Sequence, residues 1–123
     1  MDVCVALLAG TLLLRMPAPV RLNWQHSVEH FALEESYHAT SSGLQLVEVR
    51  GRGTGAGVDL PPQLRWSADG WWAFRPLAAA PQPRVVLANS RHAGGYRLCG
   101  QRGCADLASL PGAFDTPLVL RPC

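Results

Sequence analysis

The chain contains no lysine, and all eleven of its cationic side chains are arginines. These arginines are spread from Arg15 to Arg121 with acidic residues between them, so the basic stripe that nucleic-acid binding requires is missing. Charged residues make up only 16% of the sequence, below the roughly 25% of an average domain. A surface poor in charge favours contact with another partner, and nucleic acid is not an expected one.

A hydrophobic run long enough to span a membrane is also missing. The longest apolar stretch, residues 3–14, is well short of the about 20 residues that a spanning helix needs. No basic segment precedes it and no small-residue cleavage site follows, so it makes no convincing export signal. We predict instead a β-hairpin, with residues 3–8 and 11–16 as strands and Ala9-Gly10 as the turn. An atypical or truncated export signal is the alternative.

Long helical patterns are absent as well. Twelve glycines and ten prolines recur at the spacing of turns between short strands. No stretch longer than ten residues keeps a helical apolar period free of them. We therefore predict an all-β fold, a single small antiparallel β-sandwich or partly open barrel built from successive hairpins. We expect residues 1–123 to form one domain, because this length is ordinary for a single domain.

The four cysteines lack the C-x-x-C spacing of zinc ribbons. Cys99 and Cys104 flank a short loop, where facing cysteines can meet disulfide geometry. Cys4 and Cys123 lie near the two termini, which are often close together in a compact domain. We predict disulfides within these two pairs, which would place the protein in an oxidising compartment. Free buried thiols and a four-cysteine metal site are the alternatives, and neither a metal nor another cofactor is expected.

Two segments, residues 20–28 and 32–39, alternate in the manner of half-buried strands. Each carries one ionisable side chain on its apolar face, His26 in the first and Glu35 in the second. If the strands pair around residues 30 and 31, His26 lies opposite Glu35 and Trp24 lies opposite Tyr37. A longer loop would shift the partners but preserve the facing.

An inward imidazole beside an inward carboxylate has three interpretations. It is a hydrogen-bonded pair that fixes the strand register, or it lines a ligand pocket, or it belongs to a catalytic or metal site whose other groups are not evident. As an enzyme, the chain would use His26 as a general base oriented by Glu35. Strand alternation is expected to point Ser27 to the opposite face, where it would be a poor nucleophile, so the enzyme hypothesis ranks second.

Residues 51–57 read GRGTGAG, which matches neither a Walker A loop nor a dinucleotide fingerprint. They form either a bulged connection or a loop whose backbone N–H groups at Gly55 and Gly57 approach a ligand. Just before them, the alternation in residues 44–50 changes phase once, which predicts a β-bulge near Leu46-Val47.

Two more hairpins are predicted towards the C-terminus. The first joins residues 64–66 to 71–75, and we expect at least two of its three tryptophans to lie in the core. The second joins residues 84–90 to 96–99. Residues 104–107 and 118–121 complete the sheet structure.

The sequence resembles the bacterial domain-of-unknown-function 1850 family along nearly its whole length. His26-Ser27-Val28 is followed by Glu35 nine positions after the histidine and by Tyr37 two positions later. The Gly55-Ala56-Gly57 turn with prolines soon after, and Asp69-Gly70 before an aromatic strand, are also similar. The candidate ligand-binding residues are His26, Ser27, Glu35, Tyr37, Gly55 and Gly57, and no catalytic residue is assigned.

The resemblance implies a protein without a known catalytic activity. Members are often encoded beside tripartite ATP-independent periplasmic (TRAP) transporters that use a TAXI solute receptor. Many carry an N-terminal anchor or export signal and face outside the cytoplasm. This sequence departs from the pattern by starting at its first strand, and Cys99, Cys104 and Cys123 are not part of the family's general pattern.

Our leading hypothesis is a non-enzymatic accessory or ligand-binding β-domain associated with solute transport. Its partner would be a membrane transporter or the transporter's solute receptor, and its small ligand is not identified by the sequence. The cysteines and the resemblance together predict an extracytoplasmic or periplasmic location. The alternatives are a small hydrolase-like enzyme and a purely structural partner domain.

Overall fold

The computed structural model describes residues 1–25, 32–53, 63–76, 79–92 and 95–123. These residues form β-strands and one short 3-10 helix at Leu107–Ser109, and they contain no α-helix. The strands are β1 (Asp2–Leu7), β2 (Leu12–Pro17), β3 (Val20–Gln25), β4 (Ala32–Thr40), β5 (Gly43–Arg52), β6 (Arg65–Trp66), β7 (Trp71–Phe74), β8 (Val85–Leu87), β9 (Arg97–Gly100), β10 (Gly103–Asp106) and β11 (Leu118–Pro122).

The strands form two antiparallel sheets. The four-stranded sheet has the order β2-β1-β11-β8, and the seven-stranded sheet has the order β10-β9-β3-β4-β5-β7-β6. The sheets do not close into a barrel, so the predicted all-β fold is confirmed in its β-sandwich form. The predicted N-terminal hairpin is also confirmed, because β1 pairs with β2. Gly10 lies between them with a φ of 102°, which glycine adopts without steric cost.

One buried cluster joins the two sheets. Val3, Val5 and Leu120 of the four-stranded sheet belong to it, together with Leu22 and Leu98 of the seven-stranded sheet, and each is at most 1% exposed. The alternation in β3 therefore directs its apolar side chains to the core, as the sequence predicts. The polar side chains of β3 lie on the outward face of the seven-stranded sheet.

The predicted register between β3 and β4 is wrong by four positions along β3. Glu35 lies opposite Leu22, and Leu33 lies opposite Trp24, so Glu35 does not lie opposite His26. Alternation determines which residues share a face, but a shift by an even number of residues leaves every face unchanged. The predicted facing of the described residues is accordingly confirmed, since Val20 and Leu22 are both 1% exposed.

The bulge predicted in the fifth strand is present. Ser36 of β4 lies opposite Glu48 of β5, whereas the next residue, Tyr37, lies opposite Leu46. Val47 is therefore the extra residue, at the position where the sequence alternation changes phase.

The predicted hairpin between residues 84–90 and 96–99 is wrong. Strand β8 pairs with β11 in the four-stranded sheet, whereas β9 pairs with β3 and β10 in the seven-stranded sheet. This long-range pairing sets Leu87 opposite Leu118 and Val85 opposite Leu120, so that apolar side chains meet in the core. A local hairpin would have left the edge of β11 without this partner.

The hairpin of β6 and β7 is confirmed, but the expectation for its tryptophans is wrong. Only Trp72 is fully buried, at 2% exposure, where it packs on Gly51. Trp71 is half-buried, and Trp66 is 57% exposed because β6 is the edge strand of its sheet.

Both predicted disulfides are present. Cys4 is bonded to Cys123, which joins β1 to the end of the chain, with Cα atoms 5.8 Å apart. Cys99 is bonded to Cys104, its direct partner across the β9–β10 pair, with Cα atoms 4.0 Å apart. No cysteine is left as a free thiol or as a metal ligand.

Candidate functional site

Two of the six candidate ligand-binding residues, Glu35 and Tyr37, lie together on the inward face of β4. The Glu35 carboxylate accepts one hydrogen bond from the Trp24 indole N–H at 3.0 Å and another from the Tyr37 hydroxyl at 3.1 Å. The other four candidates, His26, Ser27, Gly55 and Gly57, lie outside the described residues.

The electrostatics of this cluster keep its tyrosines protonated. Burial, the charge of Glu35 and the hydrogen bond to it raise the pKa of Tyr37 far above its ordinary value of 10. Burial, and then the same charge, raise the pKa of Tyr96, whose ring is 6.2 Å from that of Trp24. Because Tyr37 keeps its proton, its hydroxyl remains a hydrogen-bond donor to the carboxylate. The hydrogen bond from Trp24 to Glu35 links β3 to β4 at the margin of the core.

An open cleft of about 590 Å³ lies on the outward face of the seven-stranded sheet. Its volume falls in the range of about 300–1,000 Å³ that is typical of small-molecule sites. The side chains that give it chemical character are Arg21, Ser36, His38, Val47, Glu48 and Arg75.

Strand alternation and register bring these side chains together. Because Leu22 and Tyr37 point into the core, their chain neighbours Arg21, Ser36 and His38 point outward. Arg21 lies opposite Ser36 on one side and opposite Cys99 on the other.

The β-bulge completes the floor of the cleft. At a bulge two residues of one strand oppose a single residue of its partner, and here Val47 and Glu48 both line the cleft beside Ser36. The hairpin that follows Cys99 forms one wall, because Gly100 and Gln101 also line it.

Positive charge predominates in the cleft. Arg75 and Arg65 both approach the Glu48 carboxylate, at 3.9 and 3.5 Å, so two cations share one anion. Arg21 is exposed and makes no ion pair with any acidic side chain in the described part of the chain. Two arginines, Arg21 and Arg75, therefore line the cleft against one carboxylate, that of Glu48, which gives it a net positive charge.

Sequence reasoning missed this site. The signal was present in the alternation, since Arg21, Ser36 and His38 occupy the outward positions of two strands whose inward positions were recognised. Arg75 could not have been added, because it reaches the cleft only through the pairing of β5 with β7.

Arg50, another arginine of the seven-stranded sheet, is already paired. The Arg50 guanidinium lies 4.9 Å from the centre of the Trp71 ring and donates to Glu34 at 3.2 Å, so its charge is already balanced.

The described ranges contain no cluster of three or more His, Cys, Asp or Glu side chains that could hold a metal ion. In the same ranges, no helix has the length and apolar character to cross a membrane.

Comparison with known proteins places the chain in a family. No curated protein and no solved structure matches it. The sequence profile described as Domain of unknown function (DUF1850) matches residues 20–107, which is more than half of the chain and extends from β3 to the first residue of the 3-10 helix. The chain therefore belongs to the DUF1850 family.

Proposed function

We propose that this protein is a non-enzymatic accessory domain that binds a small ligand in the cleft on the outward face of its seven-stranded sheet. The observation that carries this proposal is the convergence of four polar side chains from two strands and the segment after β7 around a cavity of about 590 Å³: Arg21, Ser36, His38 and Arg75. Small-molecule sites combine apolar walls with a few converging polar groups, and the cleft has both.

The two disulfides favour an oxidising, extracytoplasmic compartment. A ligand bound there would come from outside the cytoplasm. This agrees with a role in solute uptake, which is the setting that the family resemblance implies.

Association with a TRAP transporter of the TAXI type is the finer part of the proposal. The domain would act with the transporter or with its solute receptor. It would either bind the ligand for that partner or bind to the partner directly. The test is to titrate the purified domain with the TAXI solute receptor encoded in the same genome, with and without ligand. A saturable complex supports the association, and no complex at 100 μM of each protein overturns it.

Ligand binding is tested without assuming the chemistry of the ligand. The protein is screened by thermal shift against a set of small metabolites of mixed charge, in parallel with two variants. Ser36→Trp places a large side chain in the cleft, whereas Gln25→Trp places the same side chain at an exposed outward position that does not line this cleft.

We expect hits that stabilise the wild-type protein and Gln25→Trp but not Ser36→Trp. A cooperative melt of Ser36→Trp before ligand addition confirms that the variant is folded. Hits that stabilise all three proteins equally, or a screen without hits, would overturn the proposal.

The enzyme hypothesis, with His26 as general base and Glu35 as its orienting group, depends on a residue outside the described ranges. It therefore stays a prediction, as does the hypothesis of a purely structural partner domain.

A further inference from the structure

We infer that the ligand of the outward cleft is a small organic acid, whose carboxylate is held by Arg21 and whose body lies against the apolar wall. This inference rests on the proposed function, because it specifies the ligand of the same cleft. Three features of the cleft carry it: the charge of Arg21, the further hydrogen-bond donors beside it, and the apolar groups that line the same cleft.

The first feature is the charge of Arg21. Arg75 is engaged by Glu48 at 3.9 Å, whereas Arg21 has no acidic partner among the residues that the structure describes. A planar guanidinium presents paired N–H donors that match the two oxygens of a carboxylate, and such bidentate contacts are both stronger and more directional than neutral ones. Arg21 is therefore the group of the cleft best suited to bind an anion.

The second feature is a pair of further hydrogen-bond donors beside Arg21, the side chains of Ser36 and His38. Ser36 is the direct cross-strand partner of Arg21, and side chains of such partners lie about 4.5–5.5 Å apart at Cβ. His38 follows two residues later on the same face of β4 and lines the same cleft. A hydroxyl and an imidazole can each donate to an oxyanion beside the guanidinium.

The third feature is the apolar wall, which favours an organic anion over inorganic phosphate. Val47 projects into the cleft because of the β-bulge, and Pro19 and the disulfide-bonded Cys99 line it as well. Apolar ligand atoms are stabilised by burial against such groups, whereas a bare phosphate has no apolar surface to bury there. The cleft thus places Arg21 between apolar groups contributed by β9 and by β5.

The test uses pairs of an acid and its neutral amide, which have nearly the same size and shape but differ in charge and in one hydrogen-bonding group. Calorimetric titrations at low ionic strength compare succinate with succinamide, glutarate with glutaramide, and benzoate with benzamide, with inorganic phosphate as a further probe. Each titration is repeated on Arg21→Gln and on Arg97→Gln. Arg97 is the matched control, because it is also an exposed arginine on the outward face of the sheet but does not line this cleft.

We expect at least one acid to bind ten-fold or more tightly than its amide. Arg21→Gln should weaken the binding of that acid at least ten-fold, whereas Arg97→Gln should weaken it less than three-fold. If acids and amides bind equally well, the ligand is not recognised by its carboxylate, and this inference is overturned while the proposed ligand-binding function stands. If neither acids nor amides bind, the result contradicts this inference and also counts against the proposed function. Phosphate binding as tight as that of the best acid, or equal losses in the two variants, would also overturn the inference.

Discussion

Trp24 and Glu35 are joined across the β3–β4 pair by a hydrogen bond of 3.0 Å, from the indole N–H to the carboxylate. The Tyr37 hydroxyl donates a second hydrogen bond to the same carboxylate at 3.1 Å. A partly buried carboxylate is costly without donors, and these two offset part of that cost. The cluster therefore stabilises the fold at the margin of the core.

We expect Glu35→Ala to lower the free energy of unfolding by about 1–3 kcal/mol, because the buried Tyr37 hydroxyl would lose its acceptor. Urea unfolding measures the change. Glu48→Ala is the control, since its ion pairs with exposed arginines are worth less than about 1 kcal/mol. Equal stability of Glu35→Ala and the wild-type protein would show that the cluster contributes nothing.

The raised pKa of Tyr37 predicts a loss of stability in alkali. The unfolded chain ionises its tyrosines near pH 10, whereas the folded protein holds the Tyr37 proton to a higher pH. The contribution is therefore fully present below about pH 10 and is lost as the pH rises further. Between pH 10 and 11.5, Tyr37→Phe should lose stability less steeply than the wild-type protein, by up to about 1.4 kcal/mol per pH unit. Parallel curves from denaturant unfolding would contradict the assignment.

The two disulfides should differ in their contribution to stability. Cys4–Cys123 closes a loop with a sequence separation of 119, whereas the separation in Cys99–Cys104 is only 5. On loop-closure entropy, the first is worth about 5 kcal/mol and the second about 2 kcal/mol. We compare two double Cys→Ser variants by denaturant unfolding, one for each disulfide. The variant that lacks Cys4–Cys123 should be much less stable than the variant that lacks Cys99–Cys104. The reverse order would mean that strain or unfolded-state structure outweighs chain entropy.

Gly51 has no room for a side chain. A Cβ atom at this position would lie 2.2 Å from the Trp72 ring, and Trp72 is itself held by a hydrogen bond from its indole N–H to the Gly53 carbonyl at 2.8 Å. We expect Gly51→Ala to lower the melting temperature and the free energy of unfolding, by about 1–3 kcal/mol. Gly95→Ala is the control, because the nearest atom to its Cβ is 4.0 Å away. Equal effects of the two substitutions would contradict the tight packing of Trp72.

The sequence predicts those parts of the fold that local pattern determines. Alternation places Leu22 in the core and Arg21 outside it, and the phase change near Val47 marks the β-bulge. The spacing of Cys99 and Cys104 across a short loop predicts their disulfide. Each of these features depends on residues that are close together in the sequence.

The predictions that were wrong concern features that depend on residues distant in the sequence or on the length of a loop. The register of Glu35 against β3 depends on the length of the connection, which alternation does not reveal. The pairing of β8 with β11 joins strands about thirty residues apart, and proximity in the sequence favours the wrong partner. The outward cleft is lined by residues from three regions of the chain, among them Arg21, His38 and Arg75, so no single sequence motif indicates it.

The most direct test of the central claim is the position of a bound ligand in a crystal structure of the protein with its best-binding small molecule. We predict electron density on the outward face of the seven-stranded sheet, with a ligand atom within hydrogen-bond distance of the Arg21 guanidinium or the Ser36 hydroxyl. Density on the inward side beside Glu35 and Tyr37, on the far side of the same two strands, would contradict the claim.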